Sequence, residues 1–281
     1  MGENDDRCID NDEEETAERS NDDRPLAGGT GGSGHRAALW PEDFTFDGIK
    51  VVLAKHQLKL LEYWKDFWTC PEVQECDTIL NLAESIEGKN KKEFGHSLIT
   101  PNIDTQCAAF VALLQPYLDG RKYFGLKGSG YHTSEDTDAE AHIAKMLGGK
   151  FWGDIANLKI SGCGHVLWAT HKAGNAMMYR STMLDRNSLY FSAIKTRISE
   201  DPDIILYGHH HKHFRVDTET RINLIAPTWK FWHPIKDSSK FPYTQPTIGG
   251  LVIQFPKNRG QIHVVKKFYP LENIYSALTE V

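Results

Sequence analysis

The chain has 281 residues, 40% hydrophobic and 25% charged, with a net charge of −6, an ordinary globular composition on a length sufficient for a buried core. No run of eighteen or more apolar residues occurs, which excludes a conventional transmembrane helix, and the acidic N-terminus lacks the apolar h-region of a secretory signal. Residues 1–24 carry eleven acids and three bases (−8), leaving 27 acids and 29 bases (+2) elsewhere, so the body has no basic field suited to extended nucleic-acid contact.

In chain order, residues 1–24 are too charged and too poor in apolar side chains to offset the entropy of ordering, and they read as disordered. Residues 27–34, AGGTGGSG, read as a flexible glycine-rich linker. The expected organisation is therefore a disordered acidic tail and linker over residues 1–35, followed by one domain over 36–281. Strand-like and helix-like segments then alternate. The apolar run Ile49–Leu53 precedes a helix over Lys55–Trp68, with Leu58, Leu61, Trp64, Phe67 and Trp68 near one face. Asp77–Leu82 reads as a strand, Ile103–Leu118 as a helix and Lys122–Leu126 as a strand. A helix over Asp136–Leu147, a strand over Gly164–Thr170, a helix over Thr182–Ser199 and a strand over Asp203–Tyr207 follow. Strand-like stretches Arg215–Ala226, Thr247–Phe255 and Gln261–Phe268 close the chain. This order predicts an α/β fold that becomes mostly β.

Four polar segments directly follow strands: AESIE, GSGYH, TH and GHHH. Open α/β sheets place ligands at the carboxyl ends of strands, so distant segments of this kind can meet in one site. Gly208 permits a tight turn, and His209 and His211, two apart, can face one way and hold metal; a solvated histidine-rich loop explains the same spacing. His171 ends its own apolar strand, a position that a hydrogen-bonded structural histidine also fills. Glu84 and Glu87 offer hard oxygen ligands able to bridge cations, or form a solvated acidic turn. His132 in the glycine-rich turn is a candidate general acid. The five cysteines, Cys8, Cys70, Cys76, Cys107 and Cys163, are odd in number and form no CxxC pair, which predicts free thiols and a reducing, cytoplasmic setting.

The segments ALWPEDF, HQLKLLEYWKDFW, ILNLAESIEGKNKKEFG, GSGYH, ATHKAG and YGHHHKH together resemble the calcineurin-like metallophosphoesterase superfamily, and over residues 36–255 its phage- and prophage-type members. The family pattern runs Asp-x-His, Gly-Asp-x-x-Asp, Gly-Asn-His, a lone His, then Gly-His-x-His. The resemblance implies two packed mixed β-sheets flanked by helices, with the motif loops at one edge. It also implies two divalent ions (Mn, Zn or Fe) sharing a bridging carboxylate, and attack of metal-bound hydroxide on phosphorus.

Gly208-His209-His210-His211 matches the last motif, which implies that His209 binds one metal and His211 the other. His171 matches the lone histidine and joins His209. Glu84 stands where the bridging aspartate is expected, one methylene longer, and His132 keeps the general-acid place, whereas the asparagine ligand has no match. At the first motif Thr30 and Gly32 stand near the ligand positions, the strand before them is replaced by the acidic tail, and His35 is the nearest substitute. The expected metal count is therefore two, or one. The implied function is hydrolysis of a phosphomonoester or phosphodiester, with a phosphate-ester small molecule or nucleic acid as substrate and no membrane partner. Two alternatives stay open: a catalytically impaired binding or scaffold protein of the same fold, and a nuclease on DNA ends in which Trp229–Trp232 stacks on bases.

Overall fold

The computed structural model describes residues 26–29 (backbone), 39–89, 98–130, 132, 138–174, 180–194, 200–231 and 245–273. Its strands are β1 Leu26–Gly29, β2 Thr45–Phe46, β3 Ile49–Lys50, β4 Thr78–Asn81, β5 Lys122–Gly125, β6 Lys150–Phe151, β7 Ile155–Lys159, β8 Val166–Thr170, β9 Ile204–Tyr207, β10 Phe214–Asp217, β11 Ile222–Ile225, β12 Ile248–Gln254 and β13 His263–Tyr269. The helices are α1 Lys55–Thr69, α2 Pro71–Gln74, α3 Ile103–Leu114, α4 Ala139–Met146 and α5 Arg180–Ile194.

One sheet has the order β13-β12-β1-β4-β5-β6 and a second the order β10-β11-β9-β8-β7. Both are mixed: β1, β4, β5 and β6 run parallel in the first, as do β8, β9 and β11 in the second, with antiparallel strands outside them. Period-two alternation places the layers. Leu80 of β4, Leu251 and Ile253 of β12, Leu167 of β8 and Leu206 of β9 form one core shared by the two sheets. On the outer face of the first sheet, Ile79 and Val252 pack with Trp64 and Phe67 of α1, Phe110 of α3 and Ile143 of α4. On the outer face of the second, Ile205 and Tyr207 pack with Met183, Leu184 and Phe191 of α5. The architecture is the expected one: an α/β fold of two packed mixed sheets flanked by helices. No helix among the described residues is long and apolar enough to cross a membrane.

Local chemistry sets the helix starts. Asn102 accepts from the Asp104 and Thr105 N–H groups before α3, and Asp138 accepts from Glu140 N–H before α4, which satisfies otherwise orphaned donors. α3 gives way to a 3₁₀ turn at Gln115–Tyr117, where Pro116 cannot continue it, short of the expected end at Leu118.

Three expectations change. The segment read as linker contains β1, which lies between β4 and β12 and hydrogen-bonds to both; the strand ahead of the first motif is therefore present and is Leu26–Gly29. Thr30, Gly32 and His35 lie outside the described residues. The apolar run Ile49–Leu53 contributes only the short hairpin strand β3, with Ile49 69% and Val52 82% exposed, and Leu58 on α1 is also exposed. Finally, Trp229 and Phe231 are buried, Trp229 edge-on to Trp64 at 5.1 Å and to Phe67 at 5.4 Å. They are core residues and not a base-stacking surface; Trp232 lies outside the described residues.

Close packing of α1 on β12 gives a first prediction. A Cβ at Gly250 would fall 2.3 Å from Phe67 Cζ. Gly250→Ala is expected to destabilise the fold by about 1–3 kcal/mol through overpacking, read as a lower urea midpoint at unchanged slope; an unchanged midpoint would refute this contact.

Candidate metal centre

Strands β4 and β5 of the first sheet and β8, β9 and β11 of the second send their carboxyl-terminal loops to one place. The ends of β8 and β9 are tied there by Gly208 N–H donating to His171 O (3.0 Å), and the following loop by Thr247 N–H donating to His211 O (2.8 Å). Four non-glycine residues of these loops are left-handed: Ala83 (φ 73°), Glu84 (φ 60°), His209 (φ 68°) and His211 (φ 54°). That conformation costs about 1 kcal/mol or more per residue and persists only where the surroundings over-determine it.

For the Glu84 loop the surroundings are buried side chains. Asn81 Oδ1 accepts from Ala83 N–H (3.2 Å), and Glu140 of α4 accepts from Ser85 N–H and Ser85 Oγ–H (both 2.7 Å). Gln106 of α3 accepts from Glu87 N–H (3.1 Å) and Gly88 N–H (3.0 Å), and donates to Gly88 O and Thr100 O. Helices α3 and α4 thus hold both ends of the turn that presents Glu84.

Glu84 is buried and is the hub of the site. Its Oε1 lies 2.8 Å from His171 Nε2, 3.2 Å from His209 Nδ1 and 2.8 Å from Ser129 Oγ. Its Oε2 lies 3.6 Å from His211 Nε2 and 3.8 Å from His132 Nε2. His171 Nε2 and His209 Nδ1 are 3.1 Å apart. Bonds of about 2.1 Å set neighbouring donors about 3.0 Å apart around an octahedral ion and about 3.4 Å apart around a tetrahedral one. The triangle of Glu84 Oε1, His171 Nε2 and His209 Nδ1, with edges of 2.8 to 3.2 Å, therefore fits one face of a divalent-cation shell. Among the described residues these are the three identified as able to hold a cation together.

His171 is prepared for that role. Its Nδ1 lies 2.6 Å from Leu82 O, and a carbonyl only accepts, so Nδ1 carries a proton; Nε2, which donates to Glu84 Oε1 in the metal-free chain, is the nitrogen that would bind a cation once it gives up its own proton. Burial pushes the Glu84 carboxyl up, but His132 and the hydrogen bonds from His171, His209 and His211 outweigh it and hold it well below the usual range. The site therefore keeps a carboxylate ready for a cation. Burial pushes His171 down, but its hydrogen bond to Glu84, the charges of Glu84 and Glu140 and the bond to Leu82 O together more than reverse this.

All five expected residues, Glu84, His132, His171, His209 and His211, meet here. Glu87 does not join the triangle: its Oε2 lies 2.5 Å from Lys230 Nζ and 3.8 Å from His132 Nδ1. His213 stands apart, donating from Nδ1 to Ile225 O (2.8 Å), with burial pushing it down to about 4. Ser129, Gln106, Glu140 and Lys230 escaped the sequence reading. Lys230 is hidden between aromatic residues in a stretch whose pattern speaks of packing, and Glu140 looks like any acid in the first turn of a helix.

No family profile and no curated protein sequence matches this chain. Among solved structures it is similar to zinc-complexed Vps29 from Entamoeba histolytica, at 12% identity and TM-score 0.42 over 88% of this chain and 99% of that one. It is similar to an archaeal phosphodiesterase at 12% identity and TM-score 0.40, over 86% of this chain and 99% of that one. A putative 5'-nucleotidase from Staphylococcus aureus matches at 9% identity and TM-score 0.42, over 90% of this chain and 58% of that one.

Proposed function

We propose that this chain is a metal-dependent phosphoesterase that hydrolyses a phosphomonoester or phosphodiester. The observation that carries the reading is the triangle of Glu84 Oε1, His171 Nε2 and His209 Nδ1, with His132 facing the other oxygen of Glu84. The motif resemblance supports it. A divalent cation bound there supplies Lewis acidity toward phosphoryl oxygens and lowers the pKa of water. Glu84, His171 and His209 would hold it, and His211, whose Nε2 lies 3.6 Å from Glu84 Oε2, would be available as a ligand of a second ion. His132 donates from Nδ1 to Glu87 O at 3.1 Å, so Nε2, which faces Glu84 Oε2 at 3.8 Å, is the nitrogen that would exchange a proton with the leaving oxygen.

The test is the metal-to-protein ratio after loading with Mn²⁺ or Zn²⁺, alongside turnover of a simple phosphodiester. The parent is expected to retain one or two ions, and His209→Ala to lose both the triangle ion and turnover. A parent that binds no metal refutes the reading. One observation favours the scaffold alternative: Thr30 and Gly32, which follow β1 where the family pattern has Asp-x-His, are not metal-ligand types. Metal binding without turnover above the His209→Ala control would select it. A substrate among nucleic acids gains no support from the buried Trp229 and Phe231.

A further inference from the structure

We propose that Lys230 is an anion-binding residue of this site, its ammonium holding a phosphoryl oxygen of the substrate on the side of His132 away from His171 and His209. The inference rests on the metal-site reading above and adds to it a subsite for the phosphate group.

Lys230 follows β11, which runs parallel to β9, so the sheet delivers it to the same edge as His209 and His211. Its backbone is pinned on both sides. Thr228 N–H donates to Thr247 O (2.9 Å), and Thr228 Oγ1 accepts from Lys230 N–H (3.0 Å). Trp229 and Phe231 are both buried in the core beneath the first sheet. Lys230 between them lies at a bend, outside that core and facing the Glu87 loop. There its Nζ lies 2.5 Å from Glu87 Oε2.

The site forms a row. Lys230 meets Glu87 Oε2, Glu87 Oε2 is 3.8 Å from His132 Nδ1, and His132 Nε2 is 3.8 Å from Glu84 Oε2. One imidazole ring separates the two carboxylates, and Lys230 closes the row opposite the cation triangle. An ammonium has three hydrogens to donate. Glu87 takes one, and among the described residues no further partner of Nζ is recorded, while the side chain keeps 17% of its surface open.

Charge balance points the same way. With neutral histidines, Glu84, Glu87 and Lys230 sum to −1, so one divalent ion brings the site to +1. Without Lys230 the same ion would leave it at zero, and only the ion itself would attract a phosphate anion. Lysine is a common phosphate-binding point charge, and this one sits beside the group assigned to the leaving oxygen.

The test is calorimetric titration with Mn²⁺, then with inorganic phosphate, of the parent, Lys230→Arg, Lys230→Met and the double variant Glu87→Gln/Lys230→Met. The double variant removes the buried carboxylate that Lys230→Met alone would leave uncompensated, so it tests the lysine even if the single variant folds poorly. Mn²⁺ affinity is expected to stay within a few-fold in the double variant, while the phosphate Kd rises about tenfold or more and Lys230→Arg largely retains binding. If Mn²⁺ binds but phosphate binds parent and double variant alike, or binds neither, the Lys230 subsite is overturned and the metal site stands. If the parent binds no Mn²⁺, the metal reading fails and the subsite falls with it.

Discussion

Glu84→Asp is expected to bind Mn²⁺ or Zn²⁺ on the order of 10- to 100-fold more weakly than the parent, even though aspartate is the residue of the family pattern at this place. The longer side chain looks, from sequence, like a misfit by one methylene. In the structure the backbone accommodates it. Residue 84 sits left-handed at φ 60°, and its loop is held from one side by Glu140 and from the other by Gln106. From that fixed Cα, Glu84 Oε1 already reaches His171 Nε2 and His209 Nδ1, at 2.8 and 3.2 Å. Removing one C–C bond withdraws the carboxylate by about 1.5 Å, whereas ligand distances tolerate about 0.2 Å. Isothermal titration or the electron paramagnetic resonance of bound Mn²⁺ reads the affinity. Equal or tighter binding by the aspartate variant would show that the loop moves freely and that the clamps do not set the geometry.

Glu140→Ala is expected to cost about 3 kcal/mol or more of stability in the metal-free chain, because it strips Ser85 N–H and Ser85 Oγ–H of their buried acceptor. A subtler signature separates its charge from its packing. Burial pushes the Glu140 carboxyl up to about 7, against the hydrogen bonds from Ser85, from an ordinary value of 4.5. Between those values the unfolded chain has released this proton and the folded chain still binds it. The group's contribution to stability is therefore largest below pH 4.5, declines as the pH rises through the window, and levels off above about 7. The total swing is about 3 kcal/mol. Glu140→Gln keeps an acceptor for Ser85 and cannot ionise. Urea midpoints of the metal-free proteins at about pH 5 and about pH 8 should fall more for the parent than for this variant. Parallel pH profiles would remove the charged carboxyl from the account.

The site was legible where its chemistry sits in short motifs at strand ends. His209 and His211 stand behind the apolar run of β9, His171 directly behind β8, and Glu84 just past β4, so strand periodicity together with residue type marked each of them. The supports were not legible, because their partners are remote in sequence: Ser85 and Glu140 are 55 positions apart, and Lys230 and Glu87 are 143 apart. In the fold, β1 was missed because Leu-Ala-Gly-Gly has none of the β-branched or aromatic residues that mark a strand. Its hydrogen bonds come from neighbours on both sides, so tertiary context decides its state. β7 was missed for a different reason: an edge strand with Ile155 exposed and Ala156 buried shows no usable apolar pattern. The reverse error at Ile49–Leu53 has the same root, since apolar content alone does not say which residues find a core.

The placement of β1 bears on how the molecule is made. One neighbour of β1, β4, is synthesised soon after it; the other, β12, only after every strand of the second sheet. The second sheet uses residues 155–225 alone and can pair completely on the ribosome while the first still has an open flank. During that interval Glu84, His171 and His209 have all been translated, yet the scaffold that aligns them is unfinished. Pairings this distant are slow to form and expose strand edges meanwhile. A nascent chain stalled before β12 would thus carry every candidate ligand of the metal and still lack the closed sheet, with β1 left as an edge open to other strands.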